Sequence, residues 1–176
     1  TPLRFEADPE TKRKKGAYRP VFADVFTLPG ASPSKIEKVH LLVNPFAGKK
    51  RGRAVAAQVV ELVERAGIEI TVSYSAYSGH LVTMASALEV GDHDIIAVVG
   101  GDGSLSEAIT GRMLLNGKRT ETFAIVPAGT GNSQAHDLRL GTPEEAVEAM
   151  LNGLRQALDL ARVELTEGLP GSTGEN

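Results

Sequence analysis

The chain has 176 residues, of which 41% are hydrophobic and only 5% aromatic, so aliphatic side chains must build its core. This length fits one domain with tails. The net charge of −3 argues against a general binder of polyanions. The absence of cysteine excludes disulfides, thiolate catalysis and zinc–sulfur sites, and it is compatible with a reducing, cytosolic compartment. No apolar run reaches the roughly 18 residues of a membrane-spanning helix.

The two ends differ from the middle of the chain. The first residue is Thr1 and no Met precedes Met84, so we expect a piece of a longer protein. We interpret residues 1–35 as an N-terminal extension, 36–157 as the main domain, and 158–176 as the start of a second, truncated domain and a tail.

The extension holds two features. Residues 12–15 form a basic cluster, which is either a solvated loop or a contact with an anionic membrane surface. Residues 18–26 have strand-like content and are predicted to form an edge strand or the end of an upstream domain.

In the main domain, short apolar runs alternate with stretches of helical spacing. The predicted strands are residues 39–43, 68–72, 95–99 and 123–126. The predicted helices lie within residues 55–66, 81–88, 105–113 and 142–150. Gly67 is expected to end the first helix, and Thr142, Pro143 and Glu145 predict a capping box at the start of the last one. Residues 157–165 look extended.

Because the strands are mostly continuous apolar runs that alternate with helices, we expect an α/β fold. It would be a three-layer sandwich, with a mostly parallel sheet covered by helices on both faces. Ligands bind such sheets at the carboxyl ends of the strands. The least usual residues of this sequence come directly after those predicted ends.

The first loop, residues 44–50, follows the first strand and reads Asn-Pro-Phe-Ala-Gly-Lys-Lys. Exposed amides in a basic turn that leads into a helix would attract phosphate. Asn44 adds a short polar side chain at the strand end. An ordinary turn with solvated lysines is the alternative interpretation.

The second loop, residues 100–104, follows the third strand and reads Gly-Gly-Asp-Gly-Ser. Its glycines allow positive φ and close approach of a ligand to the backbone. At such a phosphate site, Asp102 would either coordinate Mg²⁺, directly or through water, or accept a proton from an attacking hydroxyl. The alternative is a glycine-rich turn in which Asp102 caps the next helix.

The third loop, residues 127–132, follows the fourth strand and reads Pro-Ala-Gly-Thr-Gly-Asn. Two glycine-rich loops at strand ends indicate a phosphate site more specifically than either loop alone, although two unrelated tight turns would give the same pattern. Ser75, after the second strand, is a further candidate for hydrogen bonding to a nucleotide. His80 is interpreted either as a structural residue that caps or orients the second helix or as a nucleotide contact.

These motifs together resemble the catalytic domain of diacylglycerol kinases and sphingosine kinases. Residues 100–107 resemble the GGDGTxNE signature of that family, residues 127–132 its PxGTGN nucleotide loop, and residues 44–50 its NPxxGKK turn. Ser75 and His80 resemble its TxxxxHA segment. The resemblance covers roughly residues 39–165 in the family's order. The departures from the family pattern are Ser75 and Ser104 for Thr, Leu81 for Ala, Ser106 for Asn, and Thr110 where Asn is usual.

The resemblance implies a NAD kinase/diacylglycerol kinase-like N-terminal domain that transfers the γ-phosphoryl group of ATP to a lipid hydroxyl, with Mg²⁺. The lipid would be a sphingoid base, ceramide or diacylglycerol. Asp102 would be the catalytic centre, as general base or as a Mg²⁺-linked group. The implied ATP-binding residues are Asn44, Pro45, Gly48, Lys49, Ser75, His80, Gly100, Gly101, Gly103, Ser104, Glu107, Gly129, Thr130, Gly131 and Asn132.

The family also implies a cytoplasmic enzyme that meets its lipid at a membrane surface, without nucleic acid. Glu107 would hold the second loop through hydrogen bonds or be a solvated helix residue. The second half of such kinases is usually β-rich and helps to bind lipid, so the isolated chain is expected to be inactive. The motifs lean towards sphingoid-base and ceramide kinases, but lipid choice is expected to reside mainly in that second half.

Three alternatives stay open at the level of sequence. A NAD kinase or phosphofructokinase relative also uses a GGDG-type loop. A non-catalytic nucleotide-binding or scaffold module would keep the loops without turnover. A dinucleotide-binding domain is disfavoured because no GxGxxG follows the first strand.

Overall fold

The computed structural model describes residues 36–115, 121–152, 155 and 160. Its strands are β1 (Lys38–Val43), β2 (Glu69–Tyr74), β3 (Asp94–Gly100) and β4 (Thr122–Pro127). Its helices are α1 (Ala47–Lys50), α2 (Gly52–Arg65), α3 (His80–Ser86), α4 (Asp102–Met113), α5 (Ser133–Asp137) and α6 (Pro143–Leu151). The basic cluster at residues 12–15 and the predicted extended segments at 18–26 and 157–165 lie outside the described residues, except for Leu160.

The four strands are all parallel and lie in the order β2-β1-β3-β4. The register runs across the sheet without a break, so that Val43 lies opposite Val99, and Gly100 opposite Pro127. The chain moves outward from β1 to β2 and then crosses over β1 to reach β3, so the winding reverses between β1 and β3. In open α/β sheets, this switch point is where the ligand crevice forms.

Helices cover both faces of the sheet. Helix α2 packs against α6, and α3 packs against α4, which places the two pairs on opposite faces because crossover connections are right-handed. Strands β1 and β3 are buried along nearly their whole length between these layers. The largest fully buried side chains are Leu41, Leu42, Leu81, Ile96, Val39, Val43, Val59, Val63, Val98, Val99 and Val126. The predicted three-layer α/β fold is confirmed.

Helix α2 ends as its sequence predicts. Gly67 has a φ of 72°, a left-handed conformation that favours glycine. The N–H groups of Gly67 and Ile68 donate to the carbonyls of Glu64 and Val63, at 2.9 and 3.3 Å. This pair of bonds is the Schellman motif, which satisfies two carbonyls that the helix leaves unpaired.

The predicted capping box opens helix α6. The hydroxyl of Thr142 accepts a hydrogen bond from the N–H of Glu145 at 3.2 Å, and the Glu145 carboxylate accepts one from the N–H of Thr142 at 3.1 Å. Pro143 occupies the first turn, where its missing N–H is not needed.

Some predicted details are wrong. Helix α4 begins at Asp102, three residues before the predicted helix, and it ends at Met113 as predicted. Leu88 lies beyond the end of α3 at Ser86. Helices α1 and α5 have no predicted counterpart, because four or five residues are too few for apolar periodicity to appear. Within the described residues, every helix is too short or too polar to span a bilayer.

Two buried polar side chains are fully engaged away from the loops. On β1, His40 has its Nε2 atom 3.1 Å from the carboxylate of Asp94 and its Nδ1 atom 3.2 Å from the hydroxyl of Thr71. On α4, Arg112 donates to the carbonyls of Ala85 and Leu88, at 3.0 and 2.8 Å. These contacts suit a structural role, since buried polar groups need partners.

The guanidinium of Arg112 also forms a salt bridge with Glu121 at 2.7 Å, and both side chains are nearly buried. The interaction connects α4 to the residue that precedes β4. Removing one partner of such a pair leaves an uncompensated buried charge, so the loss exceeds that of a surface pair.

We predict that Arg112→Ala lowers the free energy of unfolding by about 3–5 kcal/mol, because the carbonyls of Ala85 and Leu88 and the carboxylate of Glu121 lose this donor. Urea unfolding measures this change. The control is Arg65→Ala, which breaks the exposed Arg65–Glu61 pair and should cost about 1 kcal/mol at most. Equal losses for the two variants would contradict the structural role of Arg112.

Candidate functional site

The three predicted loops meet at one edge of the sheet, where β1, β3 and β4 end side by side. The N–H of Asn44 donates to the carbonyl of Val99 at 2.9 Å. The N–H groups of Ala128 and Gly129 both donate to the carbonyl of Gly100, at 2.9 and 3.0 Å. The loops are therefore joined backbone to backbone.

The second and third loops touch through their glycines. A Cβ atom on Gly129 would lie 2.7 Å from the Cα of Gly101 and from the Oδ1 of Asn132, closer than such atoms approach. On Gly100, a Cβ would collide with the side chain of Ser104. Glycine is required here because the two backbones pack against each other without intervening side chains.

The first loop also contacts both the second and the third loop. A Cβ on Gly48 would collide with the carbonyl oxygen of Ala128, so this glycine seats the first loop against the third. The side chain of Asn44 accepts from the N–H of Phe46 at 3.0 Å and donates to the buried hydroxyl of Ser104 at 3.1 Å. Asn44 thus connects the first loop to the second.

Most of α1 is a left-handed turn. Gly48, Lys49 and Lys50 have φ values of 52°, 62° and 67°. For residues other than glycine this conformation costs roughly 1–2 kcal/mol each. Pro45, before the turn, is buried, and both lysines are exposed. Local strain of this kind is typical of functional loops.

Asp102 is the exposed central residue of the second loop and faces the segment that follows the third loop. Its two carboxylate oxygens accept hydrogen bonds from the N–H groups of Ser133 and Gln134, each at 2.9 Å. The bonds from Gln134 and Ser133 lower the pKa of Asp102, because they stabilise its charged form. Asp102 therefore is an anion fixed at the start of α5, not only a residue in the first turn of its own helix.

Open backbone surrounds this carboxylate. Gly103 has no atom within 4 Å of the position that a Cβ would take, and no side chain caps the start of α4. The first N–H groups of a helix lack intrahelical partners and attract anions. The start of α4 is thus accessible to a phosphate beside Asp102.

Asn132 contributes an unsatisfied acceptor. It has a φ of 52°, and its amide nitrogen donates to the carbonyl of Gly129 at 2.8 Å. Its Oδ1 atom is buried and has no hydrogen-bond partner among the described residues. Such an atom calls for a donor or a cation, since an unpaired buried acceptor costs roughly 1–3 kcal/mol. Thr130 and Gly131, just before it, are exposed.

A cleft of about 180 Å³ opens next to the glycine loops. Six residues line it: Asn44, Phe46, Ser75, Tyr77, Ser78 and Glu107. Asn44, Ser75 and Glu107 are predicted site residues from three different segments, so the fold brings them together. Ser75 is buried, and its N–H donates to the carbonyl of Val43 at 2.8 Å.

His80 and Glu107 order the loop between β2 and α3. The Nδ1 atom of His80 accepts from the N–H of Ala76 at 3.0 Å, and its ring stacks on that of Tyr77 with centroids 4.6 Å apart. The carboxylate of Glu107 accepts from the N–H of Gly79 at 3.0 Å. The contacts of His80 are with its own loop, so its role as a nucleotide contact stays a prediction.

Sequence reasoning missed five residues of this region. Phe46, Tyr77 and Ser78 line the cleft, and Ser133 and Gln134 hold Asp102. The position of Phe46 inside the first loop was a usable signal. The two bonds of 2.9 Å to Asp102 are donated by backbone N–H groups, which any residue type can supply.

No group of three or more His, Cys, Asp or Glu side chains suited to a metal ion occurs in the described part of the chain. A metal at Asp102 would therefore need most of its ligands from phosphate and water, which is usual for Mg²⁺. The unpaired oxygen of Asn132 and the open backbone at Gly103 are compatible with a phosphate-bound cation.

Comparison with known proteins agrees with this geometry. The family profile described as "Diacylglycerol kinase catalytic domain" matches residues 38–163. Sphingosine kinase B of Dictyostelium discoideum is 31% identical over 143 residues, which cover 78% of this chain and 18% of that protein. Sphingosine kinase 1 of Arabidopsis thaliana is 30% identical over 154 residues, which cover 82% of this chain and 32% of that protein.

Bacterial relatives agree as well. A diacylglycerol kinase of Bacillus subtilis is 27% identical over 132 residues, which cover 73% of this chain and 42% of that protein. The crystal structure of a diacylglycerol kinase from Bacillus anthracis str. Sterne superposes with a TM-score of 0.56 at 28% identity, over 66% of this chain and 42% of that one. The chain thus spans less than half the length of these relatives. With the family profile matching most of its length, the chain belongs to the lipid kinase family defined by the diacylglycerol kinase catalytic domain.

Proposed function

We propose that residues 36–157 are the nucleotide-binding domain of an ATP-dependent lipid kinase whose remaining part lies outside this chain. The observation that carries the proposal is the backbone contact between Gly101 and Gly129, with the carboxylate of Asp102 beside it. Two glycine loops in contact, next to a fixed anion, suit a polyphosphate with its metal.

In this proposal, the phosphates of ATP lie against the second and third loops. Gly103 and the start of α4 offer accessible amides, and Thr130 and Gly131 are exposed beside them. Lys49, in the strained first loop, supplies positive charge nearby. Phosphoryl transfer depends mainly on positioning and charge neutralisation, which amides and cations provide.

We propose the adjoining cleft as the site of the nucleoside part of ATP. Its polar residues Asn44, Ser75 and Ser78 suit the hydroxyl and ring nitrogen atoms of a nucleoside, and Phe46 and Tyr77 offer aromatic surface. Because Asn44 also donates to Ser104, the cleft and the phosphate loops are mechanically joined.

Asp102 acts in this proposal as a fixed anion. Both of its carboxylate oxygens accept backbone N–H groups, which stabilise its charged form and favour the metal-linked role over that of general base. When bound, Mg²⁺ would neutralise charge on the phosphates. Asp102 and the Oδ1 atom of Asn132 are the groups of this chain that would hold it, directly or through water.

In the reaction, the hydroxyl oxygen of the lipid forms a bond to the γ-phosphorus of ATP, and the bond to the β–γ bridging oxygen breaks. ADP leaves, and the hydroxyl proton passes to solvent or to a base. The relatives are named both as sphingosine kinases and as diacylglycerol kinases, so sphingoid bases, ceramide and diacylglycerol are the acceptors to test. A peripheral encounter with a membrane follows from a lipid acceptor.

We predict that Asp102→Asn lowers kcat of the full-length protein at least about a hundredfold, because the anion that would hold Mg²⁺ beside the phosphates is lost. Transfer from labelled ATP to a panel of a sphingoid base, ceramide and diacylglycerol measures this effect. The control Asp137→Asn removes the same charge at the other end of α5 and should leave turnover unchanged. Turnover by Asp102→Asn at the wild-type rate would refute the assignment.

The two glycines should respond differently to alanine. Gly103→Ala meets open space in the first turn of α4, so it should leave the free energy of unfolding unchanged or raise it by less than about 1 kcal/mol, while its methyl group obstructs the phosphates. Gly129→Ala should destabilise the protein and weaken ATP binding together, because its Cβ would strike Gly101.

Calorimetric titration of the full-length protein with MgATP, beside urea unfolding, separates these effects. We expect a loss of ATP affinity of about tenfold or more for Gly103→Ala, in line with one lost charge-assisted hydrogen bond. Wild-type affinity in both variants would show that the phosphates do not lie on these loops.

Asp102 also predicts a pH dependence of stability. Because its folded pKa lies below the ordinary value of 3.8, its bonds to α5 stabilise the fold above that value, and this contribution is lost as the pH falls through the folded pKa. Wild type should therefore be more stable than Asp102→Asn at neutral pH, and the difference should shrink in acid below the ordinary pKa. The urea midpoints of both proteins, measured from neutral pH into acid, test this prediction. A stability difference between them that does not change with pH would contradict the role of Asp102.

A further inference from the structure

The loop between β2 and α3, residues 75–79, forms one wall of the cleft but is held by few contacts. Ser75, Tyr77 and Ser78 line the cleft. Ser75 is buried, whereas Ala76, Tyr77 and Ser78 are exposed to solvent. A segment that buries little apolar surface has low local stability, so a few hydrogen bonds decide the conformation of this wall.

One of these hydrogen bonds depends on a proton. The N–H of Ala76 donates to the Nδ1 atom of His80 at 3.0 Å. An imidazole nitrogen accepts a hydrogen bond only while it carries no proton, and in the charged ring both nitrogens are donors. The bond therefore requires a neutral His80 with its proton on Nε2. Protonation of Nδ1 would set two N–H groups against each other.

The other contacts of His80 do not require the neutral ring. Its imidazole stacks on the ring of Tyr77 at an interplanar angle of 17°, and a charged imidazole would still be attracted to that aromatic face. The backbone N–H of His80 donates to the carbonyl of Tyr77 at 3.3 Å. The bond to Ala76 is thus the contact of His80 that protonation would break.

The surroundings of His80 offer its protonated form no ion pair. Tyr77 is its titratable neighbour in the loop, and α3 carries no acid or base besides His80 itself. From α4, the carboxylate of Glu107 reaches this loop, where it accepts from the N–H of Gly79 at 3.0 Å. Within the ranges that the structure describes, no carboxylate lies at salt-bridge distance from His80. Protonation would therefore remove the bond to Ala76 without an ion pair in its place.

We propose that His80 is a positioning residue for the nucleotide, which holds the wall of the cleft through Ala76 only while its imidazole is neutral. This inference rests on the proposed function, because it concerns the affinity of the same cleft for ATP. Neutral His80 keeps Tyr77 and Ser78 at the cleft. When His80 gains a proton, the loop is released and nucleotide binding weakens, although His80 does not touch the nucleotide.

Two substitutions separate the hydrogen bond from the ring. His80→Asn keeps an acceptor oxygen near the position of Nδ1 but does not titrate, and His80→Phe keeps a ring that stacks on Tyr77 but has no acceptor. Both variants should fold, because the fully buried side chain at this end of α3 is that of Leu81.

Calorimetric titration of the full-length proteins with MgATP tests the proposal at about pH 8 and about pH 5.5, which bracket the usual titration of histidine. On acidification, wild type should lose about fivefold in affinity relative to His80→Asn, in line with one lost hydrogen bond. At the higher pH, His80→Phe should bind about fivefold more weakly than wild type, and His80→Asn should restore most of that loss. The titration of ATP itself affects all variants equally, so it cancels in these ratios.

His93→Asn is the matched control. It makes the same substitution at an exposed histidine just before β3, at the opposite edge of the sheet. This variant should keep the acid loss of wild type. Equal affinities of wild type, His80→Asn and His80→Phe at both pH values would overturn the proposal. A gain of wild type over His80→Asn in acid would also overturn it, because charged His80 would then bind the phosphates directly.

The backbone amide signal of Ala76 in the nucleotide-free, full-length protein distinguishes the two possible failures. Its NMR shift should change with pH in wild type and stay constant in His80→Asn. If the shift behaves in this way but MgATP does not bind, the proposed function is overturned and the proton-dependent contact of the loop is confirmed. If MgATP binds but the Ala76 signal shifts equally in both proteins, this inference alone is overturned.

Discussion

The site depends on the parallel alignment of β1, β3 and β4, which forces their three following loops to the same edge of the sheet. Close packing of those loops then requires backbone without side chains. Gly48 rests on the carbonyl of Ala128, and Gly101 rests on Gly129. A single added methyl group at these contacts would separate loops that the strand register holds together.

Asp102 adds an electrostatic link to this steric one. Its carboxylate accepts from two N–H groups at the start of α5, so the acid fixes the segment after the third loop and is itself fixed as an anion. Asp102 and α5 therefore hold each other in place. This coupling gives the exposed loops a defined arrangement beside the well-packed core.

The sequence was sufficient to predict the strands and helix ends that have a strong local pattern. Continuous apolar runs such as residues 95–99 predicted buried parallel strands, and Gly67 and Thr142 predicted helix ends through local chemistry. The contact of Asp102 with Ser133 and Gln134 was beyond reach, because it involves backbone groups 31 and 32 residues away. The left-handed turn at Lys49 and Lys50 was also unexpected, since lysine rarely adopts it.

The central claim is that the second and third loops form one nucleotide site. An NMR titration of the full-length protein with MgATP, observing backbone amide signals, tests it most directly. The account predicts that the signals of Gly103, Ser104, Gly129 and Thr130 shift together with one common dissociation constant. The claim would be contradicted if the protein were saturated with MgATP and the amide signals of neither loop, or of only one loop, had shifted.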